Sequence, residues 1–97
     1  MRRHISLLLL TLLILKTNCF PDSVIIDKID SLIELSIKNL NDSTDLSYIL
    51  IDSSLTLLDN NDDMERRARA LNIKGLILSK KRKFQESLEA YNKSLEI

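Results

Sequence analysis

Few residues in this 97-residue chain are of the kind that make or break bonds. The only histidine is His4 and the only cysteine is Cys19, both near the amino terminus. A metal cage or a nucleophile–base pair needs several such side chains converging, so the rest of the chain supplies neither. The lone glycine, Gly75, excludes a glycine-rich phosphate loop. Carboxylates do come in close pairs, Asp27 with Asp30 and Asp62 with Asp63. They fall at a helix start and a turn, where acids serve the helix dipole and solvation. No catalysis, metal or cofactor is expected. The densest cationic run is Lys80-Lys81-Arg82-Lys83. It lacks the interleaved aromatics and docking motif of a nucleic-acid surface, and a nuclear address would conflict with the amino-terminal leader. A solvated turn at a helix carboxyl end suits it. A contact with anionic headgroups or an acidic partner is the functional alternative.

That leader sets the address. Arg2 and Arg3 precede the apolar run ISLLLLTLLIL, Ile5 to Leu15, and KTNCF leads on to Pro21. A basic start, a short apolar core and a polar exit form a secretory signal. As a helix the run would rise about 16 Å, roughly half of a bilayer's hydrocarbon core, which disfavours a stable membrane anchor. Residues 1–19 are therefore a signal peptide or a lipoprotein leader. A cut after Cys19 suits ordinary secretion. Cys19 also sits where a lipid-accepting cysteine would, although Lys16, Thr17 and Asn18 match that context poorly. Export to the periplasmic or extracellular face is expected, with the membrane touched only through the leader or a lipid. One cysteine allows no intrachain disulfide, so packing alone must hold the domain.

Beyond the leader, the elements that position everything else are helical. The chain has one Pro, one Gly and no low-complexity linker. Apolar residues at spacings of three and four predict helices over about 22–40, 44–58, 64–79 and from 84 onward. Asn41-Asp42-Ser43 breaks the first pair. Asn60 to Asp63 marks a second turn, where Asp62 and Glu65 have capping-box spacing. No alternating strand pattern occurs. The expected fold is all-α: two antiparallel helical hairpins in series, residues 20–61 and 62–97, behind the signal helix. Formal charge sums to zero, yet Phe20–Asp63 carries ten acids and two bases while Met64–Ile97 carries nine bases and four acids. Opposite charges on adjacent helices predict mutual attraction, or a polarised surface that selects partners or stacks head to tail.

Glycine inside a helix costs roughly 1 kcal/mol relative to alanine, so Gly75 calls for a reason. Ala68, Leu71 and Gly75 share one face of the third helix. Phe84, Ser87, Tyr91 and Ser94 share one face of the fourth, with Leu88 and Leu95 beside them. Small residues opposite large ones let two helices approach closely, which makes Gly75 a close-approach point.

In this register Ala68, Leu71, Gly75, Leu78, Phe84, Ser87, Tyr91, Ser94 and Leu95 resemble a tetratricopeptide repeat, a helix–turn–helix unit of about 34 residues. Lys74, Leu78, Ser87 and Ser94 depart from the usual residues. The first hairpin is a weaker relative, a degenerate repeat or amino-terminal cap, in which Tyr48, Ile51 and Leu55 could take the places of Phe84, Ser87 and Tyr91. The resemblance implies a non-catalytic scaffold that binds a protein or peptide along the exposed face of each repeat's first helix. Carried over by position, that face is Arg69, Asn72, Leu76, Ser79 and Lys80. Its cations and hydrogen-bonding groups suit an acidic or carboxylate-bearing peptide. It also implies that the chain is a fragment, a truncated product or a self-associating domain, because about three repeats are needed to bury their faces. The order of parts is similar to the input region of bacterial sensors in which such repeats precede a histidine kinase or DNA-binding output domain.

Overall fold

The computed structural model describes residues 22–97, so the leader and Cys19 lie outside the described residues. The described chain is all-α, with four helices and no strand: α1 (Asp22–Lys38), α2 (Thr44–Leu58), α3 (Met64–Lys80) and α4 (Phe84–Leu95). Each helix packs on the next in sequence. Short polar breaks cap α2 and α3. Ser43 accepts from the Leu46 N–H at the start of α2. At α3 the cap is Asp63, whose Oδ1 accepts from the Arg66 N–H at 3.1 Å. The Asp62–Glu65 capping box expected from the spacing is thus displaced by one residue, because Asp63 pairs with both the backbone and the guanidinium of Arg66.

The run of cations from Lys80 to Lys83 closes α3. The Lys83 N–H donates to the Leu78 carbonyl and the Arg82 N–H to the Ser79 carbonyl, with Arg82 in the left-handed region at φ 61°. These paired bonds form the helix stop that usually employs glycine. Lys81 is not merely solvated: it pairs with Asp45 at 2.6 Å.

The core is built by three helices. Ile29 and Ile33 of α1, Ile51 and Leu58 of α2, and Ala70 and Ile77 of α3 form one fully buried cluster. Helix α3 therefore buries two faces. Gly75 and Leu78 turn toward α4, while Ala70 and Ile77, which the resemblance does not single out, turn toward the first hairpin. Helix α4 joins differently, through small residues: Ser87, Ala90 and Ser94 are its buried positions.

The two hairpins share one internal bond. In the first, Ser47 Oγ donates to the Ser36 carbonyl at 2.7 Å, and in the second Ser87 Oγ donates to the Gly75 carbonyl at 2.6 Å. Ser47 thus corresponds to Ser87, and Ser36 to Gly75. The same shift of α2 onto α4 sets Tyr48 with Leu88, Ile51 with Tyr91 and Leu55 with Leu95. This corrects the expected alignment of Tyr48, Ile51 and Leu55 with Phe84, Ser87 and Tyr91. The first hairpin does have an equivalent of the glycine, a serine. Ser36 and Ser47 also share a contact between their hydroxyls at 3.0 Å, and Ser36 Oγ donates to the Ser47 carbonyl.

Candidate functional site

Charge pairs mark how the two hairpins lie together. Asp45, Asp52 and Asp59 recur every seventh residue on α2 and its carboxyl end, and Arg67, Lys74 and Lys81 do so on α3 and its end. They pair as Asp59–Arg67, Asp52–Lys74 and Asp45–Lys81, at 3.3, 3.2 and 2.6 Å. Climbing one helix while descending the other makes α2 and α3 antiparallel. Two heptad rows of opposite sign were the sequence signal for this contact. Exposed pairs of this kind add little stability, so their main effect is on register. Lys74 and Lys81 also lie over the Tyr48 ring, 5.5 and 5.3 Å from its centroid. The Lys81 hydrogen bond, then its charge, holds the Asp45 carboxyl below the usual range.

Helices α1 and α3 run parallel, as the order of their partners shows. Arg66 meets Asp30, Arg69 meets Glu34 at 3.0 Å, and Lys80 Nζ donates to Asn41 Oδ1 at 2.8 Å. Arg66 is the best-held residue of this surface. Its Nε and Nη2 grip Asp30 at 2.8 and 3.0 Å, and its Nη1 donates to Asp63 at 2.7 Å. Hydrogen bonds from that guanidinium lower the Asp30 pKa, against the opposing effect of burial. The Arg66 N–H, followed by its guanidinium, does the same for Asp63. The pKa of Arg66 itself is raised, first by Asp30 and then by Asp63. Sequence reasoning missed this residue because its role depends on Asp30 in another helix.

The five residues of the expected groove are not all brought together. Arg69 and Lys80 line the edge of α3 nearest α1. Leu76 is exposed, and Ser79 is half-buried with its carbonyl engaged by the helix stop. Asn72 turns the other way, its Oδ1 accepting from Ser94 Oγ of α4 at 2.7 Å. The cleft beside Arg66 and Arg69, bounded also by Asp30 and Glu65, holds about 190 Å³. That is smaller than the roughly 300 Å³ at which small-molecule pockets begin.

Among the residues of the expected repeat packing, Gly75, Leu78, Ser87 and Ser94 are buried, and Ala68, Leu71 and Tyr91 are half-buried. A Cβ at Gly75 would stand 2.8 Å from Tyr91 Cδ1 and Cε1. Phe84 and Leu95 take no part in the described packing, being 64 % and 82 % exposed. They flank Tyr91, whose ring meets Gly75 of α3. Among the described residues no cluster of His, Cys, Asp or Glu could hold a metal ion, and no helix is long and apolar enough to cross a membrane. No family model matches the chain, and no curated protein or solved structure matches it.

Proposed function

We propose that this chain is a non-catalytic scaffold that binds a protein or peptide, built from tetratricopeptide-type hairpins and carried across a membrane by its leader. The observation that supports this reading best is the parallel placement of α1 and α3, the first helices of the two hairpins, with Arg69 and Lys80 along their shared edge. Lys80 is held by a neutral amide and keeps its net charge. Among the described residues Arg69 is held only by an exposed carboxylate, which an incoming acidic group can replace at little cost. The recurrence of the serine-to-carbonyl bond in both hairpins supports a repeat origin. The basic start and apolar run of residues 1–15 support export.

The occupant that suits this edge is an acidic or carboxylate-bearing peptide. Fluorescence anisotropy with labelled acidic and basic peptides of equal length tests it. The intact chain should prefer the acidic peptide, and Arg69→Glu with Lys80→Glu should abolish the preference. Equal affinity for both peptides would exclude this edge as the site.

A further inference from the structure

The α2 counterpart of α4's exposed stripe is covered by α3. Tyr48, Ile51 and Leu55 of α2 lie beneath α3, buried or half-buried. Their counterparts on α4 are Leu88, Tyr91 and Leu95: Tyr91 is half-buried with one side of its ring against Gly75, and among the described residues nothing covers Leu88 and Leu95 as α3 covers Tyr48 and Leu55. Phe84, Leu88 and Leu95 are 64, 55 and 82 % exposed. With Tyr91 they recur at spacings of four, three and four, which is the seam of a two-helix coil.

The flanks of this seam say which helix fits it. On α2 the flanking positions are Asp45 and Asp52, which pair with the α3 cations Lys81 and Lys74. The same shift places Gln85 and Asn92 at those positions on α4. At these two positions a cationic helix of the α3 type would meet amides in place of the carboxylates that α2 offers. A helix with an apolar seam and neutral amide flanks would meet neither repulsion nor an unpaired charge, and α4 itself is such a helix.

We propose that α4 is a homodimer seam, on which a second copy of this chain docks its own α4 antiparallel about a two-fold axis. In that arrangement Leu88 packs on Tyr91 of the second copy and Phe84 on its Leu95. Gln85 then lies beside Asn92 across the axis, each amide offering the donors and acceptors the other needs. The two faces together bury on the order of 1,000 Å², the lower limit of a specific interface, so the dimer is a weak one. Arg69 and Lys80 stay clear of it, because they lie on the α1 side of α3.

Sedimentation velocity of the intact chain carrying Cys19→Ser, across a range of concentrations, reads this directly. A reversible monomer–dimer equilibrium is expected. Leu88→Glu, and separately Leu95→Glu at the more exposed site, should each raise the dissociation constant more than about tenfold, because every dimer buries the substitution twice. Circular dichroism should show unchanged helix content in at least the Leu95→Glu chain. In the same background, a mixture of Gln85→Cys and Asn92→Cys chains should form the mixed disulfide in preference to either like pair. A monomer at every concentration overturns the proposal, as does a dimer indifferent to both glutamates. Preference for like pairs overturns the antiparallel docking.

Discussion

The two hairpins use the same internal bond but differ in what surrounds it. In the first, Ser36 and Ser47 exchange hydrogen bonds between two helices that each contribute large residues to a shared core. In the second, Ser87 donates to the Gly75 carbonyl with no bond returned, and the Tyr91 ring fills the space beside the glycine. The first hairpin's outer helix is covered by α3, whereas the second's presents its apolar stripe outward. A closely packed helix pair thus depends on one small residue at the crossing, while stability depends on what covers the pair.

The largest expected effect tests that coverage. Ile51→Ala, in the fully buried position of α2, should cost about 3 kcal/mol in urea denaturation. Leu95→Ala, in the corresponding row of α4, should stay within about 0.5 kcal/mol at low protein concentration. Equal losses would show that α4 is covered in solution. Next in size is the crossing itself. Gly75→Ala gains helix propensity but drives a methyl to 2.8 Å from the Tyr91 ring. A net loss of about 1–2 kcal/mol is expected, since overpacking outweighs the roughly 1 kcal/mol gained. Tyr91→Leu should relieve part of it, a coupling a double-mutant cycle would measure.

A smaller effect of opposite sign lies in the turn. Arg82 occupies a left-handed conformation that glycine adopts without strain. Arg82→Gly should stabilise the chain by up to about 1 kcal/mol, read as a higher urea midpoint. The smallest effect concerns the charges between and beside the hairpins. Asp30, Asp45 and Asp63 all have carboxyl pKa values lowered below the ordinary 3.8 by hydrogen bonds from Arg66 or Lys81. A lowered folded-state pKa means that the unfolded chain takes up protons first as pH falls. Their contribution is therefore complete above about pH 4 and fades as the pH drops through the folded values. Asp45→Gln, which gives α2 the amide found at Gln85, should make that acid-side loss shallower. An unchanged profile would show that the Asp45–Lys81 pair does not form in solution.

Much of the helix layout was legible in the sequence. Polar breaks and apolar spacing placed α2 as found and the other boundaries within two residues, because capping and hydrophobic periodicity are local properties. The close contact at Gly75 was legible as well, since glycine inside a helix demands a packing reason. The alignment of the two hairpins was not. Matching aromatic and apolar residues by type favoured a register in which Tyr48 stood for Phe84, whereas Ser47 and Ser87 define another. A serine bonding across to a main-chain carbonyl looks in sequence like any other small polar residue.

The candidate edge was only partly legible. Arg69 and Lys80 lie along one side of α3, but Asn72 is drawn to Ser94, a partner that no helical wheel of α3 can reveal. Arg66 gained its place from Asp30, thirty-six positions earlier in the chain. The sequence by itself determined the helices and the opposite charges of the two halves, because these depend on composition and on neighbours within a few residues. Only the tertiary structure decided which charges pair, which face of α3 carries the core and which face of α4 the described residues leave exposed. Those outcomes depend on the rotation and register of whole helices, set jointly by all the contacts between them.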